Sequence, residues 1–137
     1  MKASSYKHTV WDSCAKYIKL RDADKNGKVR CVTCGAYMSY NDRACNAGHF
    51  VPGRGNEVLF DDAHIFVQCS GCNCDGAGEQ FKFGEFLKKK YGYTNEQLDE
   101  ILCMRHRTKK FTLDELKTIK KRYDDASAFL RKEKGLK

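Results

Sequence analysis

Proline is almost missing from this chain: Pro52 stands alone among 137 residues, and tryptophan is likewise single, at Trp11. That excludes a proline-rich spacer or recognition tail. No stretch reaches the 18 consecutive apolar residues of a membrane-crossing helix, so no membrane partner is expected. Met1 to Tyr6 hold one lysine and no apolar run, so no secretory leader is expected and the chain should work in a reducing cytoplasm. Carboxylates are in deficit, 18 Asp+Glu against 26 Lys+Arg, for a net charge of +8. The deficit is uneven. Residues 1–79 hold 10 basic against 9 acidic side chains, and residues 80–137 hold 16 against 9. A basic half of this kind suits a polyanion, most simply nucleic acid.

What the chain does have is cysteine, eight in all. Without a leader, metal is the better explanation than a disulfide framework. Four of them form two pairs, Cys31-Val32-Thr33-Cys34 and Cys69-Ser70-Gly71-Cys72, separated by residues 35–68. Each C-x-x-C pair fits a tight turn that points two sulfurs at one centre, and two such turns close the tetrahedron of structural zinc. Cys45 lies nearby as an alternative ligand. Cys14 falls on an apolar helix stripe and reads as a small core residue.

The periodicity predicts an α+β chain. A helix is expected over 9–23, with Thr9 and Asp12 as a capping box and Val10, Trp11, Cys14, Tyr17 and Ile18 as its stripe. Asp24-Lys25-Asn26-Gly27 is turn chemistry. Short β-like runs are expected at 28–32 and 36–40 around the first knuckle, with a β end in 43–51 and short apolar runs at 58–60 and 65–67. A helical start is expected near Asn73, followed by a helix over 79–91 ended by Gly92. Thr94 with Gln97, and Thr112 with Glu115, are capping boxes that open two further helices, the last running to about 132. The chain therefore divides into an N-terminal helix and lead-in (1–30), a zinc-bound core (31–80) and a basic helical region (81–137).

Inside the cysteine frame lie Ala47-Gly48-His49-Phe50 and, directly after Cys72, Asn73. The zinc needs neither. Phosphodiester hydrolysis needs a base for water, a divalent metal to offset phosphate charge, and cations for the phosphate. A histidine suits the first role because its free pKa lies near neutrality. His49 is the candidate base, Asn73 the candidate ligand of a catalytic Mg2+ or Mn2+, and Arg54 or Arg43 the candidate phosphate contact. Arg105, Arg107, Lys109 and Lys110 form a basic link between two helices that suits DNA phosphates.

The order CxxC, Gly-His, CxxC-Asn resembles the His-Me finger (ββα-metal, HNH-like) nucleases, phage endonuclease VII among them. A closer similarity is to the NinG (Rap) family of phage recombination nucleases. Its carriers are Tyr17–Ala23, Cys31–Gly35, Ala47–Phe50, Phe60-Asp61, Gln68–Asn73, Arg105–Arg107 and Phe111–Lys120 with Tyr123. The resemblance implies a zinc-stabilised ββα-metal core and a structure-selective endonuclease that cuts branched DNA such as Holliday junctions. It also implies a homodimer, with the stripes at Leu98–Leu102 and Ile119–Leu130 either pairing across subunits or closing the monomer core.

The sequence departs from these relatives in places. Gly48 stands where endonuclease VII has a metal-binding Asp, and Phe66 where NinG relatives often carry His. His64, at a position where HNH-like proteins usually carry Asn, either orients the His49 loop or joins the metal. Asp75 and Glu79 are further candidate metal contacts. Two competing functions remain: a non-catalytic zinc module that binds DNA, and an HNH nicking endonuclease without junction preference.

Overall fold

The computed structural model describes residues 2–76 and 78–137, with Asp75 described by its backbone alone. The architecture is α+β. Helix α1 spans Ala3–Asp22, strands β1 (Lys28–Arg30) and β2 (Tyr37–Ser39) form one antiparallel hairpin, and β3 (Cys45–His49) and β4 (Ile65–Cys69) form a second. A single π-helical turn, Gly71–Asp75, follows β4. Helices α2 (Gln80–Tyr91), α3 (Asn95–Cys103) and α4 (Leu113–Lys134) complete the chain.

Helix α1 begins a turn and a half before the expected start, with Lys2 as its N-cap. Thr9 and Asp12 are therefore mid-helix and exposed, and do not form a capping box. The reason is tertiary. Ala3 and Tyr6 extend the apolar stripe upstream and pack against the core, so packing carries the helix past the local cap signal. The other end follows the sequence. Asp24 Oδ1 accepts from the N–H groups of Asn26 and Lys28, and Gly27 supplies the left-handed residue of the turn at φ +76°.

The β3–β4 hairpin lies between two apolar clusters, as the period-two alternation of strands requires. Cys45, Ala47, Ile65 and Val67 face α1 and α4, joining Val10, Cys14, Ile18, Leu116 and Tyr123. Phe66 faces the other way, into Phe50, Phe83, Leu87 and Leu98 from α2 and α3. Most of the stripes of α3 and α4 are thus used within the one chain, while Phe129 on α4 remains exposed. Helix α4 is pinned at its middle to the β3–β4 loop and at its C-terminal end to α1. The Tyr123 hydroxyl donates to the Phe60 carbonyl. Lys134 Nζ donates to the carbonyls of Leu20, Arg21 and Ala23 at 2.6, 2.9 and 2.6 Å, placing a cation on the negative end of the α1 dipole.

Both capping boxes form with the side-chain and backbone bonds reciprocal, at Thr94/Gln97 and Thr112/Glu115. Gly92 ends α2 at φ +70°. Among the described residues no helix is long and apolar enough to cross a membrane.

Candidate functional site

The two knuckles come together. Cys31 and Cys34 sit on the turn between β1 and β2. Cys69 is the last residue of β4, and Cys72 lies in the π-helical turn. The four Sγ atoms all lie within 4.8 Å of one another, and Cys34 and Cys69 approach to 3.7 Å. Four thiolates at Zn–S distances near 2.3 Å would stand ~3.8 Å apart, so the group fits a tetrahedral ion such as zinc. Gly35, at φ +78°, turns the chain so that its N–H meets the Cys31 carbonyl at 2.9 Å. The Cys72 N–H points at Cys69 Sγ at 3.5 Å. Burial pushes the Cys31 thiol up, but hydrogen bonds from the Thr33 hydroxyl and from backbone N–H groups outweigh it and bring it down to about 6. Cys45 is not in the group. It is buried under α1, and burial pushes its thiol up to about 11.

A second site opens on the β3 side of the hairpin. A cleft of about 440 Å3 is lined by His49, Asn73 and Arg54 together with Trp11, Asp12, Lys19 and Asn46. His49 ends β3, Asn73 sits in the turn whose neighbour Cys72 is a knuckle ligand, and Arg54 comes from the loop between the strands. The His49 ring stacks on Trp11 with centroids 4.5 Å apart and planes 23° apart, and the Arg54 guanidinium lies 5.3 Å over the same indole. His49 Nε2 is 2.8 Å from the Leu59 carbonyl. A carbonyl only accepts, so Nε2 carries the hydrogen and Nδ1 keeps the lone pair of the neutral ring. Burial holds the His49 pKa down to about 4, against the opposing effect of the Leu59 bond, so the ring is neutral at ordinary pH.

His64 has a different environment. It is buried, its Nε2 donates to the Val58 carbonyl at 2.7 Å, and its Nδ1 accepts from the Val51 N–H at 3.2 Å. Both ring nitrogens are used by backbone, which leaves no lone pair for a metal in this arrangement. The ring lies 5.4 Å from that of His49 and fastens the ends of the loop that carries Leu59.

Gly48 explains its own identity. A Cβ there would stand 1.9 Å from Gln68 Oε1 and 2.7 Å from Gln68 Cδ, so the Gln68 side chain occupies the space. Gln68 in turn donates to the Gly78 carbonyl at 2.9 Å. A carboxylate at position 48 has no room here. Among the described residues, the carboxylate on the cleft wall is instead Asp12, from α1.

Of the other candidates, Arg43 lies exposed on the turn before β3 and Glu79 precedes α2 in a left-handed conformation, paired with Lys82 at 3.9 Å. Neither lines the cleft. The Asp75 side chain lies outside the described residues. The basic link is docked on the Arg54 loop. Glu57 N–H meets the Arg107 carbonyl at 2.8 Å and Lys109 N–H meets the Gly55 carbonyl at 2.9 Å. Arg107 pairs with Glu57 and Lys109 with Glu115, at 3.4 and 2.6 Å, while Arg105 and Lys110 have no ion pair among the described residues. The link's cations therefore flank the loop that brings Arg54 to the cleft.

Trp11, Asp12, Lys19 and Asn46 are absent from the sequence-derived site. Trp11 reads as one more residue of an apolar stripe, and only the crossing of α1 over the hairpin sets it on His49.

The family model of the Bacteriophage Lambda NinG protein matches residues 2–133. No curated protein and no solved structure matches the chain.

Proposed function

The chain belongs to the NinG family, and on that premise we propose that it is a metal-dependent endodeoxyribonuclease of the His-Me finger type, cutting branched DNA during phage recombination. The observation that carries the proposal is His49: a neutral histidine whose Nε2 is committed to the Leu59 carbonyl, whose Nδ1 is left basic, and which shares one cleft with Asn73 and Arg54.

In this reading Nδ1 of His49 takes the proton from the attacking water as general base. Its depressed pKa makes it a weak base that is always in its acceptor form at neutral pH. Trp11 and the Leu59 carbonyl hold the ring in one orientation. Arg54 meets the phosphate as a fork of donors, which matches phosphate oxygens better than a lysine would. The cleft's oxygen donors, Asn73, Asn46 and Asp12, are the residues that would hold a divalent ion. The donor set suits a hard cation such as Mg2+ or Mn2+, which would offset charge on the phosphate. His64 serves the base by bracing the loop between the strands, and the four cysteines hold zinc as a frame. The strand–strand–helical order of β3, β4 and the Gly71–Asp75 turn supports the ββα assignment. DNA is the partner, and a homodimer would place two such clefts on one junction.

The test is a gel assay with magnesium, setting a four-way junction beside a linear duplex for the wild type and His49→Ala. The expected result is cleavage of the junction by the wild type, with binding but no cleavage by His49→Ala. Cleavage of both substrates alike would favour a nicking enzyme without junction preference. Binding without cleavage by either protein, with magnesium or manganese, would leave a zinc-containing DNA-binding module.

A further inference from the structure

The hairpin has a second edge. β3 pairs with one side of β4 and carries His49, while the other side of β4 faces away from the catalytic cleft. Arg21 guanidinium nitrogens donate there to the carbonyls of Asp62 and Ile65, at 3.0 and 2.6 Å, and the Val32 N–H meets the Val67 carbonyl at 2.9 Å. Outside this edge lies a groove of about 640 Å3. Its aromatic wall is Phe66, Phe86 and Tyr91, with Tyr91 centroids 5.6 and 6.1 Å from the other two. Tyr91 is nevertheless 52 % exposed. Its cations are Arg30 and Lys90, neither of which has an ion pair among the described residues, and Arg21, which is neutralised by Asp22 at 2.8 Å. The Arg30 guanidinium lies 4.8 Å over Tyr37, a ring that is 71 % exposed.

Arg30 Nε also donates to the Gly35 carbonyl at 3.2 Å, and the Arg21 guanidinium covers the buried Phe66 ring at 4.8 Å, so the ring left open in the groove is Tyr91. Cations without a carboxylate partner beside an exposed tyrosine are the elements of a single-strand site. Phosphates follow the positive groups and unpaired bases stack on the rings. A duplex hides its base faces within its own stack and has no use for Tyr91. A purely apolar partner has no use for Arg30 and Lys90.

We propose that this groove binds single-stranded DNA, such as the unpaired or frayed segment at a branch point, on the side of the hairpin opposite the cleft where duplex would be cut. The choice of DNA rests on the nuclease reading. The groove supplies what the cleft lacks, a reason to prefer branched over linear substrate: contact on both edges of the hairpin needs a molecule that offers duplex and unpaired strand together.

The experiment uses the full zinc-loaded chain carrying His49→Ala, so that no DNA is consumed. Fluorescence anisotropy measures binding of labelled oligo(dT) and of a blunt duplex, each against added Tyr91→Ala, Tyr91→Phe and the pair Arg30→Glu with Lys90→Glu. Tyr91→Ala is expected to weaken oligo(dT) binding about tenfold, the size of one lost base–aromatic stack, and to leave duplex binding unchanged. Tyr91→Phe keeps the ring and should keep the affinity, which separates stacking from a folding defect. Charge reversal should abolish oligo(dT) binding first. Unchanged oligo(dT) affinity in both Tyr91→Ala and the charge-reversed protein overturns the proposal, as does a proportional loss on both DNAs. Because the assay needs no cleavage, an inactive wild type would sink the nuclease reading and leave this result standing, and the reverse holds as well.

Discussion

His49 makes a quantitative prediction about acid. An imidazole free in water titrates near 6.5, and burial against Trp11 holds this one down to about 4. The folded state therefore binds the proton less readily than the unfolded state. Stability from this group is fully present above 6.5 and is lost as pH falls through the window from 6.5 to about 4. A gap of that size corresponds to about 3 kcal/mol at 1.36 kcal/mol per unit. The whole protein also titrates its carboxylates, so the quantity to measure is a difference. Urea-unfolding midpoints should be taken for the wild type and His49→Gln from pH 7.5 down to 4, since glutamine can still donate to the Leu59 carbonyl but does not titrate. The wild type should lose about 3 kcal/mol more than the variant across the window. His64, lowered for the same reason of burial, is present in both proteins, and its charge adds to the effects holding His49 down, so the difference reports His49 together with that coupling. The cleavage rate should follow the same group, with its acid limb well below that of a free imidazole. A stability difference that stays flat with pH, or an NMR titration of the His49 ring with its midpoint near 6.5, would refute the burial argument and with it the assignment of a permanently neutral base.

Other outcomes can be set beside it. Cys31→Ser or Cys72→Ser should release the bound metal and unfold the central region, because structural zinc binding is itself folding free energy. A variant with wild-type zinc content and melting curve would dismiss the four-cysteine assignment. Lys134→Met removes three hydrogen bonds to the end of α1 and should cost about 1–3 kcal/mol in urea. An unchanged midpoint would mean water replaces the ammonium freely. Gly48→Ala puts a methyl 1.9 Å from Gln68 Oε1 and should destabilise the fold by about 1–3 kcal/mol. Adding Gln68→Ala should recover much of the loss, whereas an additive double mutant would contradict the clash.

Local chemistry was legible wherever one residue type has one use. Both capping boxes, the Asp24–Gly27 turn and the terminating Gly92 act within a few residues, and their partners sit close in sequence. Each C-x-x-C pair is equally local, and the two are joined across residues 35–68 only because a tetrahedral ion needs four ligands. The start of α1 was not legible. Thr9 and Asp12 carry the right residue types for a cap, and only the packing of Ala3 and Tyr6 against a core cluster gathered from the whole chain, Leu116 and Tyr123 of α4 included, overrides them. The cleft was half legible for the same reason. His49 and Arg54 could be chosen because they lie within the cysteine frame, and Asn73 because it directly follows Cys72. Trp11 and Asp12 reach the site only through the crossing of α1 over β3, and no pattern along the chain encodes that crossing. Gln68 is a further case: along the chain it is only the residue before a knuckle cysteine, yet in the fold it is buried and fills the space beside Gly48 on the neighbouring strand.

The register of the hairpin also separates the work of the two metals the proposal involves. Cys45 pairs with Cys69, and His49 pairs with Ile65, so the zinc ligand and the candidate base lie at opposite ends of one five-pair ladder. At about 3.3 Å per residue they are ~13 Å apart along the strand. An ion held by Cys31, Cys34, Cys69 and Cys72 is thus too far away to activate a water that His49 deprotonates, and its four thiolates leave it no open position. Its effect on chemistry must travel through structure. Cys72 anchors the turn that carries Asn73, and Cys69 anchors the strand against which His49 is registered. Zinc removal should therefore lower cleavage in step with loss of the hairpin's amide protection from hydrogen exchange. Excess magnesium should not restore it. Activity that survives chelation with the hairpin still protected would mean that Asn73 is held by the π-helical turn alone, and that the zinc frame is dispensable for the cleft.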